Sequence, residues 1–233
     1  MDVIELIPGL HFLRFPVGNA YLWMDAAGLT LVDTGPPGSA GPIAEAIRGL
    51  GHDLADVRRV VLTHFHEDHV GSAAEIATWG EVQVLAHRAD APYIRGEATG
   101  PLPDLADWER PILERARAQL PDEPPAPVRV DIELEDGDAI GDGGQAIAVP
   151  GHTPGSIALY LPDPRVLFTG DTVARSPQGQ VMLGVFNADP PLTAASLRRL
   201  AELDAEVACF GHGEPVAADA AVRLREAAER LPG

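Results

Sequence analysis

The chain has 233 residues and a formal net charge of −18, from 17 Lys and Arg against 35 Asp and Glu. So acidic a surface repels phosphate backbones, which argues against nucleic acid as substrate or partner. Apolar residues make up 45% and aromatics 5%, so Val, Ile, Leu and Ala must fill a single core, and no apolar run approaches the roughly 18–20 residues of a membrane span.

Four β-like runs open the chain, at residues 3–7, 10–15, 20–24 and 29–32, separated by Pro-Gly, Gly-Asn and Ala-Gly turns. The first of them is acidic and has no basic segment before it, so no signal peptide is read and a cytoplasmic location is the expectation. The stretch from Asp33 to Gly38 breaks the fourth run, and Ser39 can cap a helix reaching about residue 50. A buried strand at 60–62 leads into a histidine-rich loop. A helix from about 68 to 79 and a strand at 82–86 follow.

Residues 88–128 differ in composition. They are proline-rich, carry Tyr93 and Trp108, and contain one helical piece near 105–120, which reads as an insert over the body. Its aromatics would suit a lid that excludes water from a cleft; the bland alternative is a surface excursion docked by the same rings. Strands return at 128–134, 146–149, 157–161 and 166–168, then a helix at 193–203, a strand at 207–210 and a final helix at 216–231. Cys209, the sole cysteine, lies in the last apolar run and reads as a small buried hydrophobe. The order ββββαβαβ, insert, ββββ, αβα predicts one α/β domain over 1–233: a four-layer αββα sandwich of two mixed β-sheets with helices on the outer faces.

The chemistry is concentrated in residues 63–71, Thr-His-Phe-His-Glu-Asp-His-Val-Gly. His64, His66, Asp68 and His69 form an HxHxDH run, and three imidazoles with a carboxylate in six residues suit a metal site. Further candidate ligands end short apolar runs: His152 in Pro-Gly-His-Thr-Pro-Gly, Asp171 in Phe-Thr-Gly-Asp-Thr, and His212 in Phe-Gly-His-Gly. Each follows a strand, so strand ends would converge on one edge. Imidazole and carboxylate donors without thiolate suit Zn²⁺, and Fe²⁺ and Mn²⁺ suit the same set.

With these positions in place the chain resembles the metallo-β-lactamase fold superfamily along essentially its whole length, from the strand with Asn19 to Leu22 and the Leu-Val-Asp-Thr-Gly segment at 31–35 to His212. The resemblance implies two divalent metals. His64, His66 and His152 would hold the first, Asp68, His69 and His212 the second, and Asp171 would bridge them. Asp33 matches the family's aspartate behind the ligands, which accepts a hydrogen bond from a ligating imidazole; an Asx-turn closing the strand is the alternative. The implied activity is a binuclear hydrolase opening a small ester, lactone or thioester through a metal-bridging hydroxide, with Asp68 also steering the nucleophile or its proton. The alternative is a mononuclear non-haem iron oxygenase of the persulfide dioxygenase kind. Several departures narrow the class. Asp171 stands where many β-lactam-opening members place Cys or Ser, and Ala174 stands where lactonases of acyl-homoserine lactones carry Tyr. Only 21 residues follow His212, whereas glyoxalase II proteins continue into a helical extension, and no basic arm of the ribonuclease Z kind is present. The expected partner is a small-molecule substrate, with neither nucleic acid nor membrane.

Overall fold

A computed structural model describes residues 1–232. Four antiparallel strands begin it: β1 (Asp2–Ile7), β2 (Leu10–Arg14), β3 (Asn19–Asp25) and β4 (Gly28–Val32). The chain then crosses over through α1 (Ala40–Gly49), and β5 (Val57–Leu62) pairs with β4 in parallel. Two short helices, α2 (Glu67–Val70) and α3 (Ala73–Ile76), lead to β6 (Gln83–His87), which is parallel to β5. The insert carries α4 (Ala91–Ile94) and α5 (Arg110–Arg117), and β7 (Ile132–Leu134) completes a seven-stranded sheet in sequence order.

A second sheet takes β8 (Ala139–Ile140), β9 (Gly144–Ala148), β10 (Ile157–Leu161) and β11 (Val166–Phe168). A separate hairpin of β12 (Val173–Arg175) and β13 (Val181–Leu183) follows, then α6 (Pro190–Leu200), β14 (Val207–Cys209) and α7 (Ala220–Glu229). Strand β14 pairs in parallel outside β11, so the order is β14-β11-β10-β9-β8. Both sheets are mixed.

The layers follow from side-chain alternation along strands buried on both faces. In β4 and β5, Leu29, Leu31, Val60 and Leu62 pack with Ile43 and Ile47 of α1 and Ile76 of α3. Their neighbours Val32 and Val61 turn the other way, into a cluster with Ile157, Leu159, Val166 and Phe168 of the second sheet. The opposite face of that sheet, with Ala158 and Leu167, packs on Leu197 and Leu200 of α6 and Leu224 of α7. Each fully buried Leu or Phe contributes about 1.5–3 kcal/mol relative to exposure. The result is the αββα sandwich expected from the order of elements. No helix among the described residues is long and apolar enough to cross a membrane.

Several boundaries differ from expectation. The helix expected over 68–79 is broken at Ser72 (φ −112°, ψ 7°), whose hydroxyl donates to Pro36 O and whose amide donates to Thr34 Oγ1. Those tertiary bonds pull the chain out of helical geometry. The strand expected over 128–134 pairs only at Ile132–Leu134, and the insert's helix is confined to Arg110–Arg117. Val216, expected at a helix start, instead forms an antiparallel bridge with Ala208, so α7 begins at Ala220.

Candidate metal centre

Strand ends deliver the donors. His64 follows β5, His66 to His69 form the first turn of α2, Asp171 lies just after β11, His212 just after β14, and His152 in the loop between β9 and β10. The structure brings all seven together. His64, His66 and His152 form one group, Asp68, His69 and His212 a second, and His64, His69 and Asp171 a third that joins them, with ligand atoms inside each group within 4.8 Å.

Asp171 lies at the centre. Its Oδ2 is 3.6 Å from His152 Nε2 and 3.1 Å from His212 Nε2, while Oδ1 is 3.3 Å from His69 Nε2. Asp68 Oδ2 is 3.2 Å from His212 Nε2 and 3.5 Å from His69 Nε2. His66 presents Nδ1 to His152 Nε2 at 2.9 Å. Three of the cage atoms, His64 Nε2, His69 Nε2 and Asp171 Oδ1, are fully buried yet have no hydrogen-bond partner. A buried polar atom left unpaired costs about 1–3 kcal/mol, and three such atoms facing one point are what metal ligands need. The donor chemistry and the orphaned atoms both fit divalent metals.

Outer contacts fix which nitrogen of three of the rings faces inward. Asp33 sits in the left-handed region (φ 57°), and its carboxylate accepts hydrogen bonds from the amide and hydroxyl of Thr63 at 2.7 Å each. The Thr63 hydroxyl lies 3.0 Å from His64 Nδ1, and because it donates to Asp33 it is left to accept from that ring nitrogen. Asp33 Oδ2 also accepts from His69 Nδ1 at 2.8 Å. Asn187 Oδ1 stands 3.2 Å from His152 Nδ1, its amide nitrogen held by Gly184 O. Each contact leaves Nε2 for the cage. Asp33 therefore reaches residues thirty and more positions away rather than closing a local Asx-turn.

Electrostatics divides the cage. Burial and the neighbouring His152 lower the pKa of His66 to about 3, and burial with His69 holds His64 well below its ordinary range. For His69 and His212 burial works against charge, but Asp171 and Asp68 outweigh it. They raise His69 well above the usual value and His212 to about 10. Burial thus favours uncharged imidazoles in the first group, while the carboxylates of the second favour protonated histidines.

Two residues that hold the site carry no sequence signal. Asn187 looks like part of a turn before Asp189, the N-cap of α6, and Asp90 looks like the cap of α4. Asp90 is fully buried, and its pKa is raised to about 6 because burial outweighs its hydrogen bonds from Thr153, Gly155 and Phe65. The other histidines stay outside the cage: His11 lies in β2, His52 beside Asp56, and His87 at the end of β6, accepting from the Ala89 amide.

A cavity of about 480 Å³ opens over the cage, floored by His66, Asp68, His152, Asp171 and His212. Phe65 and Phe186 line its sides, and Leu113, Ala116, Arg117 and Leu120 from the insert form a wall. Trp108 does not reach it. That ring is 57% exposed and borders a separate hollow beside Met182 and Leu183. Tyr93 packs on Phe65 at 4.9 Å, which in turn lies against His66. The insert is fastened at several points: Glu109 accepts from the Phe186 amide, and the Asp104 amide donates to Asn187 O.

Comparison with known proteins agrees with this geometry. The family model described as the metallo-beta-lactamase superfamily matches residues 13–212. The probable metallo-hydrolase YflN of Bacillus subtilis is 31% identical over 234 residues, covering 91% of this chain and 86% of that protein. A hydroxyacylglutathione hydrolase of Cereibacter sphaeroides is 32% identical over 177 residues, 74% of this chain, but the match spans only 54% of that longer relative. Among solved structures, a metallo-beta-lactamase family protein of Thermus thermophilus superposes with a TM-score of 0.69 at 27% identity, over 97% of this chain and 79% of the other. BJP-1, a subclass B3 metallo-beta-lactamase of Bradyrhizobium japonicum, shares the fold with a TM-score of 0.70 at 22% identity, over 99% and 90% of the two chains.

Proposed function

The chain belongs to the metallo-β-lactamase superfamily and is a metal-dependent hydrolase, and from that premise we propose that it holds two divalent ions, Zn²⁺ in the first instance, and cleaves a small ester, lactone or thioester. The observation that carries the reading is the pair of three-residue groups joined through Asp171, with buried atoms of His64, His69 and Asp171 left without any other partner. His64, His66 and His152 would hold one ion, Asp68, His69 and His212 the other, and Asp171 both. When bound, such a pair supplies Lewis-acid polarisation of a carbonyl oxygen and acidifies a water towards a pKa of about 7.

The chain's own residues do the rest. Asp33, Thr63 and Asn187 orient three imidazoles, so these rings need not reorganise during reaction. Asp68 borders both the cage and the cavity, where its carboxylate can hold a proton bound for the leaving group. Phe65, Phe186, Leu113 and Leu120 exclude water and offer apolar area to an acyl group. The cavity lies in the range of about 300–1,000 Å³ typical of small-molecule sites. A thioester fits the hydroxyacylglutathione hydrolase relatives. The chain spans about half the length of those proteins, so the thioester proposal rests on the cavity and not on their leaving group.

The test is elemental analysis of purified protein together with a panel of thioesters, lactones and aryl esters. Two zinc ions per chain and chelator-sensitive turnover of one class are expected. One iron per chain with O₂ uptake would overturn the reading in favour of an oxygenase.

A further inference from the structure

An Asp at the N-cap of a helix ordinarily turns its carboxylate back onto the helix's own first amides. Asp90 precedes α4 and makes no such bond. Its side chain points instead into the body. Oδ2 accepts from the Phe65 amide at 3.1 Å and from the Thr153 hydroxyl at 2.7 Å, and Oδ1 accepts from the Gly155 amide at 2.7 Å. The residue has no exposed surface, and no Lys, Arg or His among the described residues lies within ion-pair distance. Burying a carboxylate without a cation is unfavourable unless hydrogen bonds compensate, so an Asp kept there serves geometry.

The geometry concerns two loops. Phe65 stands between His64 and His66, and Thr153 adjoins His152. Asp90 is thus a single rigid group joining the loop after β5 to the loop after β9, 65 residues away at Gly155. The close approach is built in on the far side too: a Cβ on Gly155 would lie 2.5 Å from the Asp90 nitrogen and 2.6 Å from Oδ1, so only glycine fits. The facing atoms of the clasped loops, His66 Nδ1 and His152 Nε2, are 2.9 Å apart.

We propose that Asp90 is a positioning residue of the metal centre, its buried carboxylate setting the spacing of the His66 and His152 imidazoles and so the affinity of the three-histidine group for a divalent ion. The inference rests on the reading that this group holds a metal. Outer contacts of this kind change metal affinity by about 10–100-fold when removed.

The experiment is competition of the full-length protein with a chromophoric chelator for Co²⁺, recording the visible Co²⁺ spectrum as well. Asp90→Asn keeps the shape, but its amide nitrogen meets a donor, and it should weaken the ion held by the three-histidine group about 10–100-fold and alter its spectrum. Should that variant fail to fold, Thr153→Val removes one of the three bonds and should give a smaller loss in the same direction. Thr153→Ser should restore both readouts. Val207→Ala, in the core between the sheets, serves as a control for lost stability alone and should leave affinity and spectrum unchanged. Wild-type affinity and spectrum in Asp90→Asn, or an equal loss in the Val207→Ala control, overturns the proposal and leaves the metal reading intact. Absence of Co²⁺ binding by the wild-type protein overturns both.

Discussion

Asp33 Oδ2 accepts a hydrogen bond from His69 Nδ1 at 2.8 Å, and this contact decides which nitrogen of His69 faces the cage. The same carboxylate holds Thr63, the hydrogen-bond partner of His64, so one side chain orients a donor in each of the two groups. Asp33→Asn preserves shape, and Asn tolerates the left-handed backbone at this position (φ 57°). Its amide can satisfy only part of the pattern, since a nitrogen must replace one accepting oxygen. The variant should fold with nearly unchanged secondary structure and bind metal about 10–100-fold more weakly, measured by chelator competition. Wild-type affinity would remove Asp33 from the site.

Asp171→Ala should abolish occupancy by both ions rather than one. Its two oxygens lie 3.1–3.6 Å from the nitrogens of His69, His152 and His212, so no other carboxylate can take its place across the cage. Elemental analysis after metal-supplemented purification checks this, and retention of one full equivalent would assign Asp171 to a single group.

Uptake of two ions should release about three protons at pH 8: two from His69 and His212, which are favoured as protonated in the metal-free cage and must lose them to coordinate, and one from a bound water acidified towards a pKa of about 7. Burial opposes the two histidine protons, but Asp171 and Asp68 outweigh it and raise the pKa of His212 to about 10. The sign for stability follows. A raised histidine pKa stabilises the metal-free fold below the unfolded value of about 6.5, and that contribution is lost as pH rises through about 10 for His212. Calorimetry in two buffers of different ionisation heat counts the protons. Metal-free protein should also melt at lower temperature at pH 10 than at pH 7.

Arg117 is the one arginine lining the cavity, and it forms no ion pair among the described residues. A substrate carrying a carboxylate should therefore be favoured. S-butyryl thioglycolate should exceed the neutral S-butyryl β-mercaptoethanol in kcat/KM by about three- to tenfold, as an exposed ion pair contributes on the order of 1 kcal/mol. Arg117→Gln should erase the difference while leaving the neutral thioester unchanged. An equal loss on both substrates would mean that Arg117 only shapes the wall.

Leu113→Ala should raise KM for apolar acyl thioesters, since that side chain is part of the cavity wall. Trp108→Ala should leave kinetics at wild-type values, because the ring borders a different hollow. Altered kcat/KM in Trp108→Ala with unchanged melting temperature would show that the insert moves over the cage during turnover.

What the sequence determined by itself was the fold class and the seven candidate donors that the structure gathers. Short apolar runs, the turn residues between them and the order of elements are visible in the linear chain, and they foretold two sheets covered by helices. His64, His66, Asp68 and His69 lie within six residues, and His152, Asp171 and His212 each follow a strand at a glycine, so chemistry and position were both visible in the linear chain. The tertiary structure decided how the seven divide into groups, which ring nitrogen each imidazole presents, and what walls the cavity. Asn187 acts on a histidine 35 positions away, Asp90 on residues 25 to 65 positions away, and Leu113 faces a cage built from other strands. Such contacts follow no local period. Asp90 and Asn187 stand in no motif of the sequence, and Tyr93 and Trp108 together read as a lid because aromatic rings offer apolar area that could exclude water. Packing turned Trp108 outwards and gave the wall to Leu113 and Leu120, on the face of the insert that the fastened loops hold against the cage.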